Sequence, residues 1–244
     1  MYVGFPFLYG LTQDEHRELV ESTYPFRESV VRIIKAKEEE VIGTGNAFLV
    51  YSGHNKSLFL TCDHNFEKNG LDGEVIRLYQ GNENYPVAEI LRRSEEHDLL
   101  LFSVNSVPKR KCMEFSTDKV NKDDKVVILG YVSPTLPVNS EMKQLVLVSE
   151  PHSITGVVRT DPYQDSAKDN HEKIYVNCEA TKGVSGSPLF KNSKVIGVHL
   201  ATDKKWRDSV SANTVLQVLR GWLGVGKDNE DTFEKFFEMA YNKF

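Results

Sequence analysis

Three short stretches hold residue types that could act together on a carbonyl group. "KGVSGSPLF" (182–190) sets Ser185 between glycines, "LTCDHNF" (60–66) carries His64, and "EEHDLLLFSV" (95–104) carries Asp98 at the head of an apolar run. A serine hydroxyl is a poor nucleophile at neutral pH and needs a base, such as an imidazole, to take its proton during attack. A carboxylate beside that imidazole fixes its tautomer and stabilises the imidazolium that forms. Each residue alone has a plainer explanation. Glycines beside serine mark tight turns, a strand-initial aspartate caps a turn, and a histidine at a strand end is commonly a hydrogen-bonded surface residue. The nucleophile reading therefore needs a fold that brings all three together.

The elements that would position them are short strands. "SVVRIIKA", "GNAFLVYS", "KSLFLTC", "EVIRLY", "VAEILRR" and "DLLLFSV" form one group; "KVVILGY", "QLVLVS", "SITGVVRT", "KIYVNCE", "SPLF" and "KVIGVHLA" form a second. Each run is rich in Val, Ile, Leu and Phe and is bounded by turn signals. Such spacing predicts an all-β chain of two six-stranded antiparallel β-barrels or sandwiches. His64 and Asp98 fall in the first group and Ser185 in the second, so a shared site would form in the cleft between them. "NSVPKRKCMEFSTDKVNKDD" (105–124) is polar and without clear periodicity, and reads as the linker.

Helices are expected at the ends. Thr12 with Glu15 three residues on is a capping-box pattern for a short helix. "NTVLQVLRGWL" opens with Asn213 as a candidate N-cap, and Phe233, Phe236, Phe237, Ala240 and Phe244 lay an apolar stripe along a last amphipathic helix. The polar stretch "DPYQDSAKDNHEK" (161–173) has nothing to bury and is expected to be a mobile loop. The resulting division is 1–28, an extension with a helix; 29–118, the first barrel; 119–224, the second barrel and a helix; and 225–244, the C-terminal amphipathic helix.

Composition narrows the function classes. A net charge of -5 argues against a general nucleic-acid binder, which would show a basic surface. No apolar run approaches the ~20 residues that span a bilayer, and the N-terminus has no basic region of the signal-peptide kind. Cys62, Cys112 and Cys178 are odd in number and widely spaced, with no C-x-x-C. They suggest neither a disulfide framework nor a zinc site, and fit buried free thiols in a reducing, cytoplasmic setting. No cofactor or metal is expected. A protein or peptide is the expected partner, with the oligomeric state open.

In combination the stretches resemble the trypsin-like (chymotrypsin-fold) serine peptidases. "GTGNAFLV" looks like the first-barrel glycine turn and strand of HtrA/Deg-type members, "LTCDH" like their Leu-Thr-Ala-x-His, and "HDLLLF" like the segment around their acid. "DDKVVILGY" and "GVSGSPLF" match their second-barrel strand and nucleophile motif, so that the likeness covers roughly residues 29 to 220. It implies a serine endopeptidase with a His64–Asp98–Ser185 triad and an oxyanion hole made by the N–H groups of Gly183 and Ser185. Pro188 would fix the exit of the nucleophile turn.

Where activatable trypsin-like zymogens carry an aspartate before the nucleophile, this chain has Val184, so activation by a new N-terminus is not expected. No PDZ domain is expected, which would place the resemblance with the non-zymogen HtrA-like and viral-like branch. For specificity, His199 matches by its distance after Ser185 the histidine with which glutamyl endopeptidases and picornavirus-type proteases read Glu or Gln, and Thr181 is one position from their threonine. Glu179 falls where trypsin keeps the acid that binds Arg or Lys. A Glu/Gln preference is favoured, a basic preference is its opposite, and a Glu179–His199 pair that reads nothing is the third possibility. Two alternatives to a working cytoplasmic peptidase stay open: a pseudoprotease used as a binding or scaffold module, and a virus-type polyprotein processor.

Overall fold

A computed structural model describes residues 10–37, 40–66, 74–80, 83–86, 89–105, 110–132, 150–159, 173–178, 183–200 and 207–244. The expected capping box is present. Thr12 accepts from Glu15 N–H, and the Glu15 carboxylate accepts from Thr12 N–H at 2.7 Å, starting α1 (Gln13–Thr23). A 3₁₀ turn (Tyr24–Ser29) with Pro25 near its start leads into the first lobe.

That lobe is β1 (Val30–Lys37), β2 (Glu40–Ser52), β3 (Lys56–Thr61), β4 (Glu74–Gln80), β5 (Glu83–Pro86), β6 (Glu89–Ser94) and β7 (Leu99–Asn105). Among the described residues they form one seven-stranded antiparallel sheet, in the order β5-β4-β1-β2-β3-β7-β6. The second lobe is β8 (Lys125–Gly130), β9 (His152–Arg159), β10 (Lys173–Val176), β11 (Pro188–Lys191), β12 (Lys194–His199) and β13 (Arg207–Ser211), closed as a barrel in the order β10-β13-β12-β11-β8-β9. The all-β, two-lobed expectation is borne out, with a seventh strand in the first lobe. The expected strand "QLVLVS" and the polar stretch 161–173, save Lys173, lie outside the described residues.

Alternate residues of the central strands serve two different cores. On β3 and β7, Phe59, Leu100, Phe102 and Val104 face the interior of the first lobe with Val31, Ile33 and Leu78. Their neighbours Leu58, Leu60, Leu99 and Leu101 join a larger core with Leu129, Phe190 and Val198 of the second lobe and with the C-terminal helices. Burial on both faces explains why these strands read as continuous apolar runs instead of alternating ones. The second barrel keeps its own interior of Val126, Ile128, Ile174, Val184, Leu189 and Ile196.

The linker is more structured than its polarity suggests. Met113 N–H donates to Leu49 C=O in the first lobe, while Val195 of the second exchanges hydrogen bonds with Glu114 and Ser116, so this segment straps both lobes. Helix α2 (Ala212–Leu223) is capped by Ser211, whose hydroxyl accepts from Thr214 N–H, and not by Asn213. The strand β13 runs to Ser211 and leaves extended geometry only there, which puts Asn213 inside the first turn. Helix α3 (Phe233–Lys243) buries Phe236, Phe237 and Ala240 as its stripe predicts, and Phe233 stacks on Phe115 of the linker at 4.5 Å. No helix among the described residues is long and apolar enough to cross a membrane.

Phe237, fully buried in the shared core and within aromatic contact of Phe115 and Phe233, holds α3 against the linker. Phe237→Ala should cost about 3–5 kcal/mol. Denaturant melts read it, and a loss below about 1 kcal/mol would show α3 to be a dispensable appendage.

Candidate active site

The site starts where β3 ends. The β2–β3 register pairs Ala47 with Thr61, after which the chain leaves the sheet and enters a 3₁₀ turn, Asp63–Phe66. This turn carries His64. It is braced by Lys35 Nζ, which donates to His64 C=O at 3.2 Å, and by Arg93, whose Nε donates to Asp63 at 2.7 Å.

Asp98 closes the four-residue turn between β6 and β7 with φ 50°, a left-handed conformation that aspartate tolerates better than most residues. Its two carboxylate oxygens both serve His64. Oδ1 accepts from the His64 backbone N–H at 3.0 Å, and Oδ2 lies 2.6 Å from the ring Nδ1. A carboxylate only accepts, so Nδ1 carries the hydrogen and, in the neutral ring, Nε2 is the basic atom. The two side chains are 38% and 30% exposed, so the pair is open to a reactant.

Ser185 belongs to the turn before β11 and is buried. Because β3 stops at Thr61, Asn46 N–H has no strand partner on that edge, and it donates instead to Ser185 C=O at 2.7 Å. Asn65, next to His64, donates to the same carbonyl at 3.0 Å. Across the turn, Gly186 N–H donates to His199 C=O at 2.8 Å, and Ser187 N–H to Val184 C=O at 3.2 Å. The His64 and Ser185 turns are thus in direct hydrogen-bonded contact across the two lobes.

Gly183 and Gly186 take φ 90° and 80°, the region that favours glycine. At Gly186 a Cβ would overlap the Asn46 carbonyl oxygen and Thr61 Oγ1. Val184 is buried in the second barrel's core, and Pro188 opens β11, where its missing N–H is tolerated.

Cys62 has its thiol within reach of the same cluster; its Sγ, a His64 ring nitrogen and an Asp98 oxygen lie within 4.8 Å of one another. The thiol donates to His199 C=O at 3.3 Å, and burial, with the Asp98 charge second, pushes its pKa well above the ordinary range. Burial thus favours the protonated thiol, which is a poor nucleophile. His199 is buried, its Nδ1 3.3 Å from Ser209 Oγ on β13. Glu179 and Thr181 lie outside the described residues. Asn46 and Asn65, the polar residues that join the turns, went unremarked in the sequence. "GTGNAF" marked the place through its glycines, but nothing there points to the asparagine side chain.

An antiparallel sheet lobe, a closed six-stranded barrel and a His–Asp pair against a Gly-x-Ser-Gly turn define the chymotrypsin-like class of serine peptidases. Residues 43–198 match the family described as trypsin-like peptidase domain, and the chain belongs to that family, making it a serine endopeptidase, a hydrolase of peptide bonds. Among solved structures it is similar to the active form of the Rv3671c protease from M. tuberculosis, at 18% identity and a TM-score of 0.61 over 88% of each chain. The inactive form of that protease matches at 17% identity and 0.60, over 83% of this chain and 92% of that one. Deg5 matches at 19% and 0.61, over 85% and 94% respectively. No match is found among curated proteins.

Gly186→Ala should strain the turn by about 1–3 kcal/mol from the positive φ alone, with the overlap on Asn46 added. The expected outcome is a lowered melting temperature together with lost peptidase activity. An alanine variant as stable and as active as the parent would mean that the two turns are not in contact.

Proposed function

We propose that the chain cleaves peptide bonds through an acyl-enzyme on Ser185, with His64 as general base and acid and Asp98 as its orienting partner. The observation that carries this reading is the double hydrogen bond from His64 to Asp98, which leaves Nε2 as the basic atom, on a turn whose Asn65 donates to Ser185 C=O. Ser185 Oγ bonds to the substrate carbonyl carbon while its proton passes to His64 Nε2. The oxyanion is held by the N–H groups of Gly183 and Ser185. Collapse breaks the C–N bond, with the His64 proton going to the leaving amine. Water then attacks the ester by the same route, releasing the acid product and restoring Ser185.

The substrate preference we propose is Glu or Gln before the scissile bond, read by His199. Its support is the buried His199 ring, hydrogen-bonded to Ser209, on the residue whose own carbonyl anchors Gly186 N–H. A reducing, intracellular setting is proposed with it, supported by the three free cysteines.

Ser185→Ala should abolish cleavage of casein and of labelling by a fluorophosphonate while leaving the melting temperature close to that of the parent. Asp98→Asn should lower kcat on the order of 10⁴-fold, by analogy with the chymotrypsin-type example of that substitution. Undiminished turnover in either variant would remove that residue from the mechanism.

For the pocket, a peptide-library profile should show cleavage after Glu or Gln that His199→Ala abolishes. Cleavage after Arg or Lys, lost in Glu179→Gln and kept in His199→Ala, would assign the pocket to Glu179. A profile dominated by apolar residues would sink both assignments.

A further inference from the structure

Asn46 is fully buried on β2, in the first lobe, yet its side-chain Oδ1 and Nδ2 and its backbone N–H all bond into the second. Its Nδ2 donates to Gly183 C=O at 2.7 Å and to Tyr131 C=O at 3.0 Å, and its Oδ1 accepts from Tyr131 N–H at 2.7 Å. The orientation of the amide is dictated by chemistry. Tyr131 N–H can only donate, so it must face Oδ1, and that turns both N–H groups of the amide toward the two carbonyls. Tyr131 directly follows β8, and Gly183 lies two residues before Ser185.

The consequence for the nucleophile turn follows from peptide planarity. The Gly183 carbonyl and the Val184 N–H share one rigid plane, so a donor on that carbonyl fixes the plane. The next plane is held by Ser187 N–H on Val184 C=O. The one after it is held by Asn46 N–H and Asn65 on Ser185 C=O, with Gly186 N–H on His199 C=O. Three consecutive peptide planes around the nucleophile are therefore set, and one residue of the opposite lobe supplies hydrogen bonds to the first and the third. The plane that Asn46 holds sits between the two oxyanion donors, with Gly183 N–H just before it and Ser185 N–H just after it. Gly183, without a Cβ and at φ 90°, has the backbone freedom to rotate that plane. The bond from Asn46 opposes that rotation.

We infer that Asn46 is a positioning residue: its carboxamide, reaching across the lobe boundary to Gly183 C=O, holds the oxyanion-binding turn in the orientation that receives the charge of the tetrahedral intermediate. The inference rests on the reading of Ser185 as the nucleophile. It assigns to the first lobe a part in building the oxyanion hole as well as supplying His64 and Asp98. Transition-state charge feels the orientation of these N–H groups more than ground-state binding does, because the oxygen carries full charge only in the intermediate.

The test is kinetic, on the full chain. Asn46→Ala removes the donor. Because it also removes two hydrogen bonds of the Tyr131 main chain, Asn46→Ser is made alongside it, since a hydroxyl and a water molecule can share the vacated space. The parent is first checked for fluorophosphonate labelling of Ser185 and for peptide cleavage; a parent that does neither overturns the nucleophile reading itself, not the role of Asn46 within it. Given an active parent, kcat of the folded variants should fall on the order of 10²-fold, the cost of a misplacement near 1 Å, with KM little changed. Affinity for a peptide boronate, whose tetrahedral adduct places an oxygen in the hole, should fall by the same factor. Affinity for the peptide product, which makes no such demand, should stay near that of the parent. Variants that melt at lower temperature but keep the parent's kcat and boronate affinity would show Asn46 to be only a strut between lobes, and would overturn the inference.

Discussion

A single backbone hydrogen bond, from Asn46 N–H to Ser185 C=O, is the constraint around which the site is organised. A buried N–H must find an acceptor. Had β3 continued one more residue, it would have supplied one; it stops at Thr61, and the chain turns away to present His64. The unmet donor is answered by the other lobe. This one exchange brings the Ser185 turn against β2, forces glycine at 186 because no Cβ fits beside the Asn46 carbonyl, and lets Asn65 reach the same Ser185 carbonyl. The departure of β3 from the sheet and the arrival of the Ser185 turn are two sides of one event.

Such a seam needs lobes that do not slide. The largest core is shared: Leu58, Leu60, Leu99 and Leu101 of the first lobe meet Leu129, Phe190 and Val198 of the second, with Val215, Leu219, Phe236 and Phe237 from the C-terminal helices. Close packing of this kind has few alternative arrangements. Polar ties are added at the edge of the same boundary. Arg32, opposite Asn46 in the β1–β2 ladder, donates to Val132 C=O at 2.6 Å, and burial draws its pKa down to about 10, still charged at neutral pH. The hydrophobic contact supplies most of the adhesion, while the hydrogen bonds select its register.

The His64–Asp98 pair is built in a different way, entirely inside the first lobe. Asp98 binds both the backbone and the ring of His64, so the turn after β6 and the turn after β3 position one another before any second-lobe residue is involved. Partial exposure of both side chains leaves room for a substrate, whereas the cysteine thiol behind them is sealed and protonated. The His64–Asp98 pair is thereby preformed in one lobe, the Ser185 turn in the other, and the seam decides how they meet.

Much of this was legible in the sequence. The β-rich character, the division into two strand groups, the capping box at Thr12 and the stripe of α3 follow from local pattern, because periodicity and capping are interactions within a few residues. His64, Asp98 and Ser185 could be picked out because their types and order suit one chemistry. The short strand β13 could not: "RDSVS" is polar, and its place between β10 and β12 depends on Asp208, Ser209 and Ser211 being buried among partners from other strands. The linker read as loose because its hydrogen bonds go to Leu49 and Val195, far away in the chain. Ser211 replaced Asn213 as a cap because the end of β13, and not the helix's own pattern, sets where α2 begins. Asn46 is the clearest case. Its residue type says only that it is polar, and in isolation a polar residue in an apolar strand looks like a fault. Only the approach of Gly183, Tyr131 and Ser185 from the other lobe turns its side-chain amide and backbone N–H into bonds, because hydrogen-bond satisfaction is a property of three-dimensional neighbours and not of sequence neighbours.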